Sequence, residues 1–279
     1  MRVRFVAGAA VPLAVLLVVL PASFGWGESA ERLITNKAID TLPDEMQQFF
    51  QANRQYLLQH AADPREAIAK NPGERRNEFI QLDHYGPFPF AALPRIYTAA
   101  VDKVSKKTLN QYGLLPWQIG LYSKKLTDAF HDHDWSEAKL SAALLAHYVA
   151  AAHDPFNTTV NDTGKLSGQP GVNDRYGTTL VDRYSLFFFV KPNEAVFIHD
   201  PTDHAFDMVL SSHAWLENIL LADRRAHEGL TKYSDEYYDR FYAQAGAILI
   251  RQMSDASMDV GSYWMSAWIN AGRPQLPSQ

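Results

Sequence analysis

Apolar residues recur at helical spacing along most of this chain. In the stretch that begins at Glu28, the apolar positions Leu33, Ile34, Ala38 and Ile39 share one side of a helix. Comparable periodicity continues towards the C-terminus, and strand-like alternation is nearly absent. Helices are therefore predicted over residues 28–41, 44–62, 96–109, 116–130, 135–153, 204–226, 234–254 and 257–271. The pattern predicts an all-α fold.

Four segments depart from this periodicity. The apolar run SLFFFV (185–190) is the one candidate for a β-strand, and a buried helix end explains it equally well. Polar residues gather in three predicted loops, 63–95, 153–177 and 191–203. Loops of such length in a compact domain are usually functional or disordered. The loop 153–177 is rich in Asn, Asp and Gly, which argues against a core element, and its pattern differs from that of a flexible linker.

The N-terminal residues have the layout of a secretory signal peptide. Arg2 and Arg4 precede an apolar run from Val6 to Leu20, and small residues follow it. This run is shorter than the roughly 20 residues that span a bilayer as a helix. We therefore expect cleavage between Gly25 and Trp26, one helical domain over 26–279, and a secreted or periplasmic protein without a transmembrane anchor.

Cysteine content and charge narrow the remaining function classes. The chain has no cysteine, which excludes a disulfide framework and a lipidated cysteine. Its 26 basic and 31 acidic residues give a net charge of −5, and loss of the two N-terminal arginines makes it −7. Such a surface does not bind nucleic acid by phosphate neutralisation alone. An anionic substrate would need a bound cation or a local basic cluster.

Four sequence motifs are spread over residues 26–277. They are WGESAERLITNKAID, EFIQLDHYGPFPFAALPR, AHYVAAAHDPFNTTVNDTGKLSGQPGVNDRYGTTLVDRY and YWMSAWINAGRPQLP. Together they resemble the bacterial branch of the zinc-dependent phospholipase C and single-strand nuclease superfamily. The resemblance implies one helical domain with a trinuclear zinc cluster that hydrolyses phosphate esters, including phospholipids or nucleotides. It also implies that the mature N-terminal tryptophan binds metal through its amino group and carbonyl.

The positions that match the family's metal ligands are mostly changed. Trp26, Asp63 and His147 match ligands of the family. Where the family has other ligands, this chain has two carboxylates in place of histidine, Glu31 and Glu78. The remaining positions are degenerate, with Ala151 for aspartate, Asn157 and Asn173 for histidine, and Gly177 for glutamate.

These changes alter the expected chemistry. Alanine and glycine donate nothing from their side chains, and an asparagine carbonyl is a weak zinc ligand, so a complete trinuclear zinc cluster is not expected. The leading hypothesis is an exported non-catalytic or binding protein that keeps the fold. The alternative is a phosphoester hydrolase with a remodelled mono- or dinuclear site built from Asp63, Glu78 and His147, with Glu31. Such oxygen-rich ligands suit manganese, iron or calcium as readily as zinc.

Two of the matching residues have simpler explanations that need no metal. His147 lies on an apolar helical stripe, where a buried, hydrogen-bonded histidine is common. Asp63 precedes Pro64, and Asp-Pro often forms a turn or a helix cap.

A different alignment of the loops would bring in other histidines. In that case His84, His131, His133 or His153 would supply ligands from displaced positions near Trp26. The segment 131–134 has its own alternative, as a polar connection and N-cap before a helix at Trp135.

Overall fold

The computed structural model describes residues 25–278, and within that range the secondary structure is helical with no β-strand. The all-α prediction is therefore confirmed. The helices are α1 (Glu28–Ile39), α2 (Asp44–Ala52), α3 (Arg54–His60), α4 (Asp63–Lys70), α5 (Tyr97–Val104), α6 (Lys106–Tyr112), α7 (Leu115–His131), α8 (Trp135–Ala152), α9 (Val172–Asp174), α10 (Leu180–Tyr184), α11 (Pro201–His213), α12 (Leu216–His227) and α13 (Asp235–Asn270).

Shorter turns join some of these helices. A π-helical turn, Arg175–Thr179, connects α9 to α10, and 3₁₀ turns lie at Pro72–Asn77, Leu82–Tyr85, Pro155–Thr158 and Ser185–Phe187. Within residues 25–278, no helix is both long and apolar enough to cross a membrane. The predicted signal peptide, residues 1–25, lies almost entirely outside the described part of the chain. Its cleavage between Gly25 and Trp26 stays a prediction.

Helices α7, α8 and α13 form the centre of the molecule, and α1 packs along α13. Helix α8 is buried over most of its length, because small alanine side chains let neighbouring helices approach closely. The indole Nε1 of Trp264 on α13 donates to the carbonyl of Ala142 on α8 at 3.0 Å. Phe50 from α2 stacks on the Trp264 ring at 4.6 Å. The core is therefore built around α8.

Helix α13 runs without interruption for 36 residues, where two helices were predicted. The prediction of a break between 254 and 257 was wrong, because neither proline nor glycine lies there to interrupt the helix. Gly261, further along, marks the closest approach of α1. A Cβ at this position would lie 1.9 Å from Thr41 Oγ1, so only glycine fits the crossing.

Three other predicted helices are each divided in two. The stretch 44–62 breaks at Asn53, whose side-chain amide donates to the carbonyl of Phe49. The stretch 96–109 breaks at Ser105, which has a φ of 77° and whose hydroxyl accepts from the Thr108 amide. The stretch 204–226 breaks between α11 and α12. Local side-chain hydrogen bonds mark the breaks at Asn53 and Ser105, and the apolar periodicity continues through all three breaks.

The long loops are held to the helices by side-chain and backbone hydrogen bonds. The loop 153–177 is held to α12, because Asp223 accepts from Gln169 Nε2 at 2.6 Å and from Arg175 Nη2 at 2.8 Å. The segment 195–198 lies along α13, where the hydroxyls of Ser262 and Ser266 accept from its backbone amides. The region 63–95 contains α4 and two 3₁₀ turns.

The run SLFFFV forms neither a strand nor a buried helix end. It begins with the 3₁₀ turn Ser185–Phe187 and continues as extended chain. Leu186, Phe187 and Phe189 are 94%, 75% and 77% exposed. The prediction failed because apolar content was taken to mean burial.

Candidate functional site

The segment that enters α1 places Trp26 in the interior. Its side chain is buried, its indole Nε1 donates to the carbonyl of Ala150 at 2.8 Å, and its ring packs beside Tyr176. The Gly27 amide donates to the carbonyl of Gly177 at 3.1 Å. These contacts fix the backbone of residues 25–27 against the C-terminal end of α8 and the π-helical turn.

His147 on α8 meets both carboxylates that stand at former histidine positions. Its Nε2 lies 2.5 Å from Glu78 Oε2, and its Nδ1 lies 3.1 Å from Glu31 Oε1. The first contact is a short hydrogen bond, and the second is an ion-pair contact without hydrogen-bond alignment. All three side chains are buried. The structure thus brings together Glu31, Glu78 and His147.

The protonation of His147 follows from these neighbours. Burial alone would lower the pKa of its imidazole, but the charges of Glu78 and Glu31 and the hydrogen bond with Glu78 raise it to about 10. The ring is therefore an imidazolium at neutral pH. Both nitrogens then carry protons, and a metal could bind the imidazole only by displacing one of them.

Arg65 completes this group, and sequence reasoning missed it. Its Nη2 lies 2.6 Å from Glu31 Oε1 and also donates to the carbonyl oxygen of Trp26. One guanidinium therefore bridges two positions that the resemblance assigns to metal binding. The only sequence signal was its place directly after Asp63 and Pro64. Two cations and two carboxylates form the charge-balanced Arg65–Glu31–His147–Glu78 network.

Asp63 contributes to a different interaction. It is the first residue of α4, and its Oδ2 lies 2.7 Å from His60 Nδ1. Its side chain is 40% exposed, whereas that of Glu31 is 7% exposed. A carboxylate in the first turn of a helix is favoured by the helix dipole. This position agrees with the helix-start alternative.

The degenerate positions gather around residues 25–27. The side-chain amide of Asn157 donates to the carbonyl of Ala151 at 3.0 Å. A Cβ at Gly177 would lie 3.2 Å from the Gly25 carbonyl oxygen, so backbone occupies the space of a larger side chain. Asn157 and Asn173 line one small cleft with Glu78 and Gly25. That cleft holds about 10 Å³, room for one water molecule at most.

Beside Gly177 lies a buried carboxyl group that belongs to no ion pair. Asp154 Oδ1 accepts from the Phe156 amide at 2.9 Å, while Oδ2 is buried with no hydrogen-bond partner. Burial raises the pKa of this carboxyl to about 7. The hydroxyl of the neighbouring Tyr176 is also buried without a partner.

The displaced histidines make other contacts. His84 stacks on Tyr112, and His131 pairs with Asp132 at the exposed end of α7. His133 has a φ of 57° and contacts the Trp135 ring. The N-cap prediction for this segment is confirmed, because Asp134 accepts from the amide of Glu137.

His153 belongs to a second buried ion-pair cluster. Its Nε2 lies 2.9 Å from Asp259 Oδ2, and His204 Nε2 lies 2.8 Å from Asp259 Oδ1. Burial opposes ionisation of Asp259, but the two histidines lower the pKa of its carboxyl to about 2. His153 is therefore engaged by α13 and not by Trp26.

The arrangement does not fit a zinc cluster. Across residues 25–278, no group of three or more His, Asp or Glu side chains is placed so that it could hold a metal ion. In the network, Arg65 and His147 already neutralise the carboxylates that would have to bind the metal. The two carboxylates are thus already paired with cations of the protein.

A much larger cavity than this cleft lies elsewhere. It holds about 650 Å³ and is lined by Tyr97, Trp117 and Leu121, among others. At its edge, Arg95 pairs with Asp203 at 2.7 Å. None of the predicted ligand positions lines this cavity.

No family model matches this chain, and no curated protein is significantly similar to it.

Proposed function

We propose that this chain is an exported, non-catalytic relative of the zinc-dependent phospholipase C and single-strand nuclease superfamily, acting as a binding or structural protein. The observation that carries this proposal is the Arg65–Glu31–His147–Glu78 network. In it, two protein cations neutralise the carboxylates at positions where the family binds zinc.

The placement of the motifs supports the family part of the proposal. Trp26, Glu31, Glu78 and His147 come from distant parts of the sequence, yet they meet in one place. Ala151, Asn157, Asn173 and Gly177 lie around the same stretch of backbone. If the resemblance were accidental, residues at these positions would not be expected to lie close together in the structure.

The site geometry supports the loss of hydrolysis. Zinc hydrolases use a metal-bound hydroxide and an open position for the substrate. Here the imidazole is held between two carboxylates, and the adjoining cleft admits at most one water molecule. These residues supply neither the metal ligands nor the space for a phosphate ester.

Hydrolysis of bis-p-nitrophenyl phosphate by the processed protein tests this proposal. We expect no zinc-stimulated turnover above a buffer control, and no effect of a chelator. The variant His147→Ala serves as a matched control, because any contaminating activity would persist in it. Zinc-dependent turnover that a chelator removes and His147→Ala lacks would refute the non-catalytic assignment.

The convergence of Glu31, Glu78 and His147 also favours the second candidate function, a phosphoester hydrolase with a remodelled metal site. In that case Arg65 would have to leave Glu31, and a divalent metal such as zinc, manganese, iron or calcium would take its place. Substrates would be phosphate esters of lipids or nucleotides. Substitution of Asp63 or His147 should then abolish activity, and an unaffected rate would exclude this assignment.

A further inference from the structure

Three exposed apolar side chains lie close together in the connection between α10 and α11. Leu186 is 94% exposed, which means that its side chain touches almost nothing of its own chain. Phe187 and Phe189 are 75% and 77% exposed. Isolated exposed apolar residues are ordinary on protein surfaces, but a group of this size in one turn marks an interaction site.

The base of this turn is held firmly. The rings of Tyr184 and Phe188 both stack on Tyr242 of α13, at 4.4 Å and 5.9 Å. The Tyr184 hydroxyl donates to Asp239 at 2.5 Å, and the Phe188 amide donates to the carbonyl of Ser185. The exposed side chains are therefore presented from an anchored turn.

We propose that Leu186, Phe187 and Phe189, here termed the apolar tip, insert into the outer layer of a lipid membrane. Its three side chains are each at least three-quarters exposed, which leaves them free to insert between lipids. Tyrosine rings at its base, Tyr184 and Tyr242, have the amphipathic character that favours the headgroup level. The proposal does not depend on the chemistry of the His147 site.

The charges around the apolar tip indicate whether it needs anionic lipids. Lys191 and Arg183 flank it, but Arg183 is paired with Asp235 at 2.8 Å. Asp182 and Glu194 add negative charge close by in the sequence, and Asp239 contacts Tyr184 at the base of the tip. Because basic residues do not dominate, binding comes from apolar insertion and requires no anionic lipid. A zwitterionic phosphatidylcholine surface is therefore sufficient.

Vesicle co-sedimentation tests the proposal. Full-length processed protein should bind phosphatidylcholine vesicles, and the triple variant L186S/F187S/F189S should lose about tenfold or more of this affinity. Because these side chains are exposed, the variant should keep the wild-type melting temperature. A matched variant, L166S/V196S/L221S, removes three exposed apolar side chains from other places and should bind as the wild type does.

The absence of cysteine allows a direct second readout. The variant Leu186→Cys, labelled with a polarity-sensitive dye, should show a blue shift on addition of phosphatidylcholine vesicles. The same label at Leu166→Cys, 71% exposed in the wild type, should show none. This reports where the protein meets the lipid.

Several results would overturn the proposal. These are no vesicle binding by the wild type, equal binding by the triple tip variant, or binding that appears only with anionic lipid and disappears with salt. Self-association that the tip substitutions abolish, without any vesicle binding, would instead assign the tip to contact with a second copy of the chain.

Discussion

Arg65 has a role in the structure that its sequence context did not indicate. It is one of many surface-type cations in the printed chain, yet it contacts both Glu31 and the carbonyl of Trp26. A buried carboxylate that loses its cation is left uncompensated, and such losses are costly. Without Arg65, the single positive charge of His147 would face both Glu31 and Glu78.

Replacing Arg65 should therefore destabilise the fold. We expect Arg65→Met to lower the free energy of unfolding by about 2–3 kcal/mol, less than for a fully buried pair because the arginine is partly exposed. Urea unfolding measures this change. Arg251→Met, which removes the exposed ion pair to Asp255, should cost less than about 1 kcal/mol. Equal effects of the two substitutions would argue against the network.

Asp154 provides a pH-dependent prediction at the same scale. The pKa of its carboxyl is raised from 3.8 to about 7 in the folded protein. A raised carboxyl pKa means that stability is complete below pH 3.8 and declines as the pH rises towards 7. Asp154→Asn removes this decline. We expect a gain on the order of 1–3 kcal/mol at pH 8, after the cost of an unpartnered amide.

Urea unfolding at pH 8 and at pH 4 checks this prediction. At pH 4 the wild-type carboxyl is largely protonated, so the gain should disappear. A variant that is no more stable than the wild type at pH 8 would contradict the assigned protonation state of Asp154.

At the scale of elements, the crossing of α1 and α13 is set by Gly261. In an unhindered helix, alanine is about 1 kcal/mol more favourable than glycine. Here a Cβ would lie 1.9 Å from Thr41 Oγ1 and 3.1 Å from the Ala38 carbonyl oxygen. Steric overlap of this kind costs about 1–3 kcal/mol, so it outweighs helix propensity.

Gly261→Ala should therefore lower the free energy of unfolding by about 1–2 kcal/mol. The double variant Thr41→Ala with Gly261→Ala should recover part of this loss, because it removes the closest atom. Together with the wild type, the two single variants and the double variant form a double-mutant cycle, for which Thr41→Ala must also be measured alone. Strict additivity of the two substitutions would exclude the proposed contact.

Element boundaries also show where sequence reasoning succeeds and fails. Apolar periodicity predicted α7 and α8 closely, because few strong local signals compete with it there. It ran through the breaks at Asn53 and Ser105, which side-chain capping creates, and it placed a break inside α13 that does not exist. Periodicity reports which face is buried, and it says little about where a backbone bends.

At the scale of the whole molecule, the sequence predicted the all-α class. The structure brings together Glu31, Glu78 and His147, but Asp63, which was placed in the same set, pairs with His60 instead. The sequence did not predict Arg65 or the pairing of Asp259 with His153 and His204, because these contacts join residues far apart in the chain. Nor did it predict the exposure of Leu186. Motif order predicts which segments meet, while ion pairing within the site depends on tertiary distances.

The metal content of the processed protein, beginning at Trp26, tests the central claim most directly. The protein is incubated with excess zinc, separated from free metal by gel filtration, and measured by elemental analysis. Because Arg65 and His147 neutralise Glu31 and Glu78, the account predicts well under one equivalent of zinc or any other divalent metal. Retention of one or more equivalents, lost in His147→Ala, would contradict it.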